Sequence, residues 1–170
     1  MKRLTMAAVV AAGFTMAGPV MAGDGFGTRL LGSEEVPVVS TPGQGFFYAT
    51  LNDAENQLDY QLLYGNLEGT VTQSHIHIGQ KSVNGGIILY LCSNLTPPAG
   101  VPLPPACPNG PGFQAVGGTL TAANVFSQAA QGISAGEFAE VIRAIRAGNA
   151  YANVHSSSFA GGEIRGQITR

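Results

Sequence analysis

Residues 45–64 read GFFYATLNDAENQLDYQLLY. In QLDYQLLY (57–64), Leu58, Tyr60, Leu62 and Tyr64 alternate with polar or second-face residues. Period two places all four on one side of a strand. GFFYATL (45–51) reads as a second strand. NDAEN (52–56) is composed of turn-forming residues and connects the two as a hairpin. Working outward, FGTRLLG (26–32), TVTQSHIHI (70–78), GGIILYL (85–91), AVGGTLT (115–121), YANVHS (151–156) and EIRGQI (163–168) repeat this strand-and-turn pattern. Eight short strands separated by turn signals predict an all-β antiparallel sandwich or barrel.

One stretch breaks the period. Phe138, Val141, Ile142 and Ile145 recur at i, i+3, i+4 and i+7, the apolar stripe of a helix. Ser134 and Glu137 have capping-box spacing, and Gly148 lies where a C-terminal glycine belongs. A helix over 134–147 is expected, covering an edge or an open end of the β-structure. TAANVFSQAA (121–130) is read as a second, shorter helical piece.

The first 22 residues, MKRLTMAAVVAAGFTMAGPVMA, have the order of a secretory signal peptide. Lys2 and Arg3 precede an apolar run that ends in small residues. Gly13, Gly18 and Pro19 make the run a poor membrane span. Cleavage after Ala22 leaves 148 of the 170 residues, the size of one domain. Six basic residues then face ten acidic ones, and no basic stripe remains for nucleic acid. The expected location is the periplasm or the medium, and any partner is an extracellular protein or ligand. Cys92 and Cys107 bracket the proline-rich SNLTPPAGVPLPPA. In an exported chain such a pair predicts a disulfide. Two metal-ligating thiols are the rival reading, and the long spacing without a nearby histidine disfavours it.

The chemistry concentrates in the chain's three histidines. In SHIHIG (74–79), His75 and His77 share one strand face and Ile76 and Ile78 the other. In YANVH, Tyr151, Asn153 and His155 fall opposite Ala152 and Val154. If the two strands are neighbours, three imidazoles share a face and form a candidate mononuclear copper or zinc site. The competing reading is an exposed polar sheet face with no ligand. Glu163 falls on one face with Arg165 in GGEIRGQI. It is a candidate metal ligand or outer-shell acceptor, or the partner of Arg165 in an ion pair, and the ion pair is the expectation. No nucleophile elbow or phosphate-binding glycine loop occurs, and SSS (156–158) reads as a turn, so no catalytic residue is assigned.

Three stretches together carry a family resemblance: LLGSEEVPVVSTPGQGFFYATLN, SHIHIGQKSVNGGIILYL and IRAGNAYANVHSSSFAGGEIRGQI. They resemble the CHRD domain, named from chordin and widespread in exported bacterial proteins. The resemblance runs from about Leu30 to Ile168. It implies an immunoglobulin-like β-sandwich or barrel and a binding or structural module without an assigned enzymatic activity. In chordin the domain accompanies growth-factor-binding modules. The family's loop after the HIHIG strand is usually brief, so the Cys92–Cys107 segment looks like an insertion. SHIHIG and GGEIRGQI are also faintly similar to motifs of copper/zinc superoxide dismutase, which makes a copper- or zinc-dependent redox enzyme the alternative function. That enzyme needs further histidines and an aspartate, and with His155 alone remaining a complete dinuclear site cannot be built.

Overall fold

The computed structural model describes residues 24–96, 99–100 and 102–170, so the signal-peptide expectation lies outside the described residues. All eight expected strands form, with ends displaced by at most two residues. They are β1 (Asp24–Leu31), β2 (Gln44–Leu51), β3 (Leu58–Gly65), β4 (Val71–Ile78), β5 (Ile87–Ser93), β6 (Gln114–Leu120), β7 (Ala150–Ser156) and β8 (Ile164–Gln167). They make one sheet in the order β5-β4-β7-β8-β1-β2-β3-β6, with every adjacent pair antiparallel.

The hairpin of β2 and β3 is in continuous register from Gln44↔Gly65 to Leu51↔Leu58. Asn52 closes its turn, accepting from the Asn56 and Gln57 N–H groups through Oδ1. Leu58, Tyr60, Leu62 and Tyr64 are all buried, as their period requires. The two end strands of the order, β5 and β6, approach one another, so the sheet curls into a nearly closed barrel. The Tyr60 hydroxyl of β3 reaches across to the Leu91 carbonyl of β5. The inner face carries a continuous core that includes Phe26, Leu30, Phe47, Leu62, Ile76, Leu91 and Val154.

Each barrel end is covered. The helix α1 (Phe138–Arg146) buries Phe138, Val141, Ile142 and Ile145. Its Arg146 pairs with Asp24 at the start of β1 and with Glu55 in the β2–β3 turn, which places it over that end. The helix begins four residues later than expected. Gly136, at φ 84°, turns the chain out of the helical path just after Ser134. Glu137 is the N-cap residue, and its carboxylate accepts only from the Ser134 N–H, at 2.7 Å. Gly148 does close the helix in the left-handed conformation, at φ 69°. The 121–130 segment forms two separate 3-10 turns, Ala122–Asn124 and Ala129–Gln131, rather than one helical piece. Between them the chain is extended, and the Phe126 N–H donates to the Ile88 carbonyl of β5.

At the opposite end the residues at the two ends of the proline-rich segment pack against the barrel. Cys92 and Cys107 are joined in a disulfide. Asn94 donates to the Val71 and Cys107 carbonyls and accepts from the Cys107 N–H. Asn109 Oδ1 accepts from the Val71 N–H at 2.7 Å, and the Tyr64 hydroxyl donates to the Pro108 carbonyl. Among the described residues no helix is long and apolar enough to cross a membrane.

Candidate metal centre

The strands β4 and β7 are neighbours, with Gln73 opposite His155, His75 opposite Asn153 and His77 opposite Tyr151. All six side chains stand on the outer face of the barrel wall, opposite Ile76 and Val154. That face is not the exposed polar surface that alternation alone suggests. His75 is 0% exposed, His77 8% and His155 6%. The loops that follow the two strands cover them. The segment after β4 lays Gly85 over His77, and the turn after β7 lays Ala160 over His155. Only glycine fits at 85, because a β-carbon there would meet the Ile78 carbonyl at 1.6 Å.

Candidate ligand atoms of the three histidines lie within 4.8 Å of one another. His75 Nδ1 and His155 Nε2 are 3.3 Å apart. Two nitrogens each about 2.0–2.1 Å from one tetrahedral ion would be separated by roughly 3.4 Å. One pair thus has the required spacing, and the widest needs to close by at most about 1.4 Å to reach it.

The outward nitrogens are engaged elsewhere. His77 Nδ1 faces the Gly85 carbonyl at 2.9 Å and His155 Nδ1 the Ala160 carbonyl at 2.9 Å. A carbonyl only accepts, so both Nδ1 atoms carry the proton, and in a neutral ring Nε2 is then bare. His75 Nε2 faces Gln73 Oε1 at 3.2 Å. With the proton there, His75 Nδ1 is bare as well. Ligating histidines show this arrangement, with the far N–H held by an oxygen and the near lone pair aimed at the ion.

Electrostatics keep the rings neutral. Burial, together with the mutual repulsion of His155 and His77, lowers the His75 pKa to about 2. Burial lowers His77 to about 4, against an opposing hydrogen bond to Gly85. His155 is lowered by burial too. Neutral imidazole is the form that binds metal. Around the trio, Tyr90 packs edge-on to His75 at 4.5 Å between centroids, and Tyr151 stacks on His77 at 4.7 Å. Arg165 lies over the other side of Tyr151, its guanidinium carbon 3.3 Å from the ring centroid.

Glu163 does not join the three histidines. Its carboxylate accepts from Thr41, Ser156 and the Glu68 N–H. Nor does it pair with Arg165, which donates instead to the Val83 carbonyl and Asn84 Oδ1. The shared-face argument fails because β8 begins only at Ile164, and Gly162 at φ 123° turns the chain immediately before Glu163. An acidic group that borders Gly162 together with the Asn153 amide nitrogen is Glu35, which nothing in the local sequence singles out. It is buried, and among the described residues its Oε1 has no hydrogen-bond partner. Burial raises its pKa to about 7 against the pull of Arg165. Gln73 was legible, since it sits two residues before His75 on the same strand face.

No curated protein and no solved structure gives a match to the chain. The family model of the CHRD domain matches residues 26–168. That span runs from β1 to the residue after β8 and includes the three histidines and both cysteines, and on this match the chain belongs to the CHRD domain family.

Proposed function

We propose that this protein is an exported β-barrel module of binding or structural character, and that it holds one copper or zinc ion through His75, His77 and His155. The observation that carries the reading is the pairing of each outward ring nitrogen with an oxygen, while one candidate ligand nitrogen from each ring lies within 4.8 Å of the others. Without an ion that convergence is costly. With the His75 proton on Nε2 toward Gln73, bare nitrogens would face one another in a buried place, and buried polar groups without partners are unfavourable. Borderline imidazole donors suit copper or zinc better than magnesium or calcium. Export is supported by the N-terminal signal pattern and by the disulfide, a bond that persists in oxidising compartments.

The test is direct. Protein purified without chelators should carry close to one equivalent of copper or zinc, or take it up after dialysis. His77→Ala should weaken binding by about 100-fold or more, since even loss of an outer-shell partner costs up to that much. Micromolar copper and zinc both failing to bind the parent protein would sink the proposal.

A further inference from the structure

We infer that Asn153 is the fourth ligand of this ion, through its side-chain oxygen, and that the centre is therefore closed. The inference rests on the metal-centre reading above and adds the coordination position that three histidines leave open. Asn153 is 2% exposed and sits directly opposite His75 in the β4–β7 register. Its Oδ1 lies 3.1 Å from His77 Nε2. With the amide oxygen on this side, that contact is not an ordinary hydrogen bond. The single proton of neutral His77 is on Nδ1, held by the Gly85 carbonyl, so Nε2 and Oδ1 present lone pairs to each other. A cation bound by both atoms resolves the conflict. Oxygen and nitrogen ligands about 2.0–2.2 Å from one ion, at angles near tetrahedral, stand roughly 3.1–3.4 Å apart.

The Asn153 nitrogen lies over Gly162, in the space a β-carbon at 162 would enter. Glu35 Oε1, the buried oxygen without a partner, occupies the same space. The amide nitrogen is thus on the Glu35 side and the amide oxygen faces His77, with no hydrogen bond between Asn153 and Glu35 Oε1. The carboxylate offsets the positive charge of an ion placed near Arg165, since a neutral amide ligand brings none.

A site with four protein ligands has no position for water. Such closed sites hold an ion for structure, whereas an open one activates water or substrate. Here the ion would tie β4 to β7, the two strands that carry its ligands.

Cobalt(II) alone, followed by sodium azide, is the probe. Cobalt(II) bound to the parent protein should give a visible spectrum that millimolar azide leaves unchanged. Asn153→Ala should bind cobalt(II) about 10-fold or more weakly, by the scale of lost supporting groups, and its spectrum should respond to azide. Asn153→Asp keeps an oxygen donor and should stay unresponsive, which keeps the test alive if the alanine variant does not fold. Azide-sensitive cobalt in the parent, lost on His77→Ala, would overturn the fourth ligand while leaving the three histidines standing. Asn153→Ala binding cobalt(II) as tightly as the parent would do the same. A parent protein that takes up no cobalt(II), copper or zinc would instead overturn the metal reading, and this inference with it.

Discussion

Acidification of the metal-free protein tests the buried trio through stability. Burial depresses His75 from 6.5 to about 2 and His77 from 6.5 to about 4. The unfolded chain therefore binds protons below pH 6.5 that the folded chain refuses. Stability contributed by these neutral rings is complete above pH 6.5 and falls as pH drops below it. Between pH 7 and pH 5 each ring costs about 2 kcal/mol, at 1.36 kcal/mol per pKa unit. His155 acts in the same direction. Glu35 opposes them. Its folded pKa is raised from 4.5 to about 7, so its contribution is fully present below 4.5 and lost as pH rises through 7. Acidification over the same interval returns about 2 kcal/mol through this carboxyl. The parent protein should thus lose at least about 2 kcal/mol between pH 7 and pH 5, and Glu35→Gln, which removes the compensation, about 4 kcal/mol. Urea unfolding of chelator-treated, disulfide-intact protein at the two pH values measures both. A midpoint unchanged or higher at pH 5 in parent and variant alike would refute the burial of neutral imidazoles.

Two further outcomes follow from the barrel ends. Phe138→Asp and Ile142→Asp should each destabilise by several kcal/mol, about 3–5, because a carboxylate would enter the core beneath α1; near-parental unfolding midpoints for both would show that the stripe does not cover that end. Cys92 and Cys107 should give no titratable thiol in denaturant without reductant, and reduction should cost about 3 kcal/mol for a loop of this length; two free thiols, or no loss of stability on reduction, would contradict the linkage.

The strands were legible because alternation is a local property. Leu58 to Tyr64 and the buried stripe from Phe138 to Ile145 each declare a face through spacing alone. The same parity put His75 and His77 on one side, and Asn153 and His155 on one side. It went wrong where a left-handed glycine interrupts it. Gly136 delays the helix, and Gly162 detaches Glu163 from the face of Arg165. The sequence by itself therefore determined the elements, their faces and the identity of the imidazoles. Only the tertiary structure decided that β4 lies beside β7, that Gly85 and Ala160 roof the outer face, and that Glu35 is buried near Asn153. The strand pairing and the Glu35–Asn153 approach join residues dozens of positions apart, and the two roofing loops, 8 and 5 residues from the histidines they cover, take their places on that frame. They are set by how the whole sheet curls and where its loops land, and no periodicity within one strand encodes them.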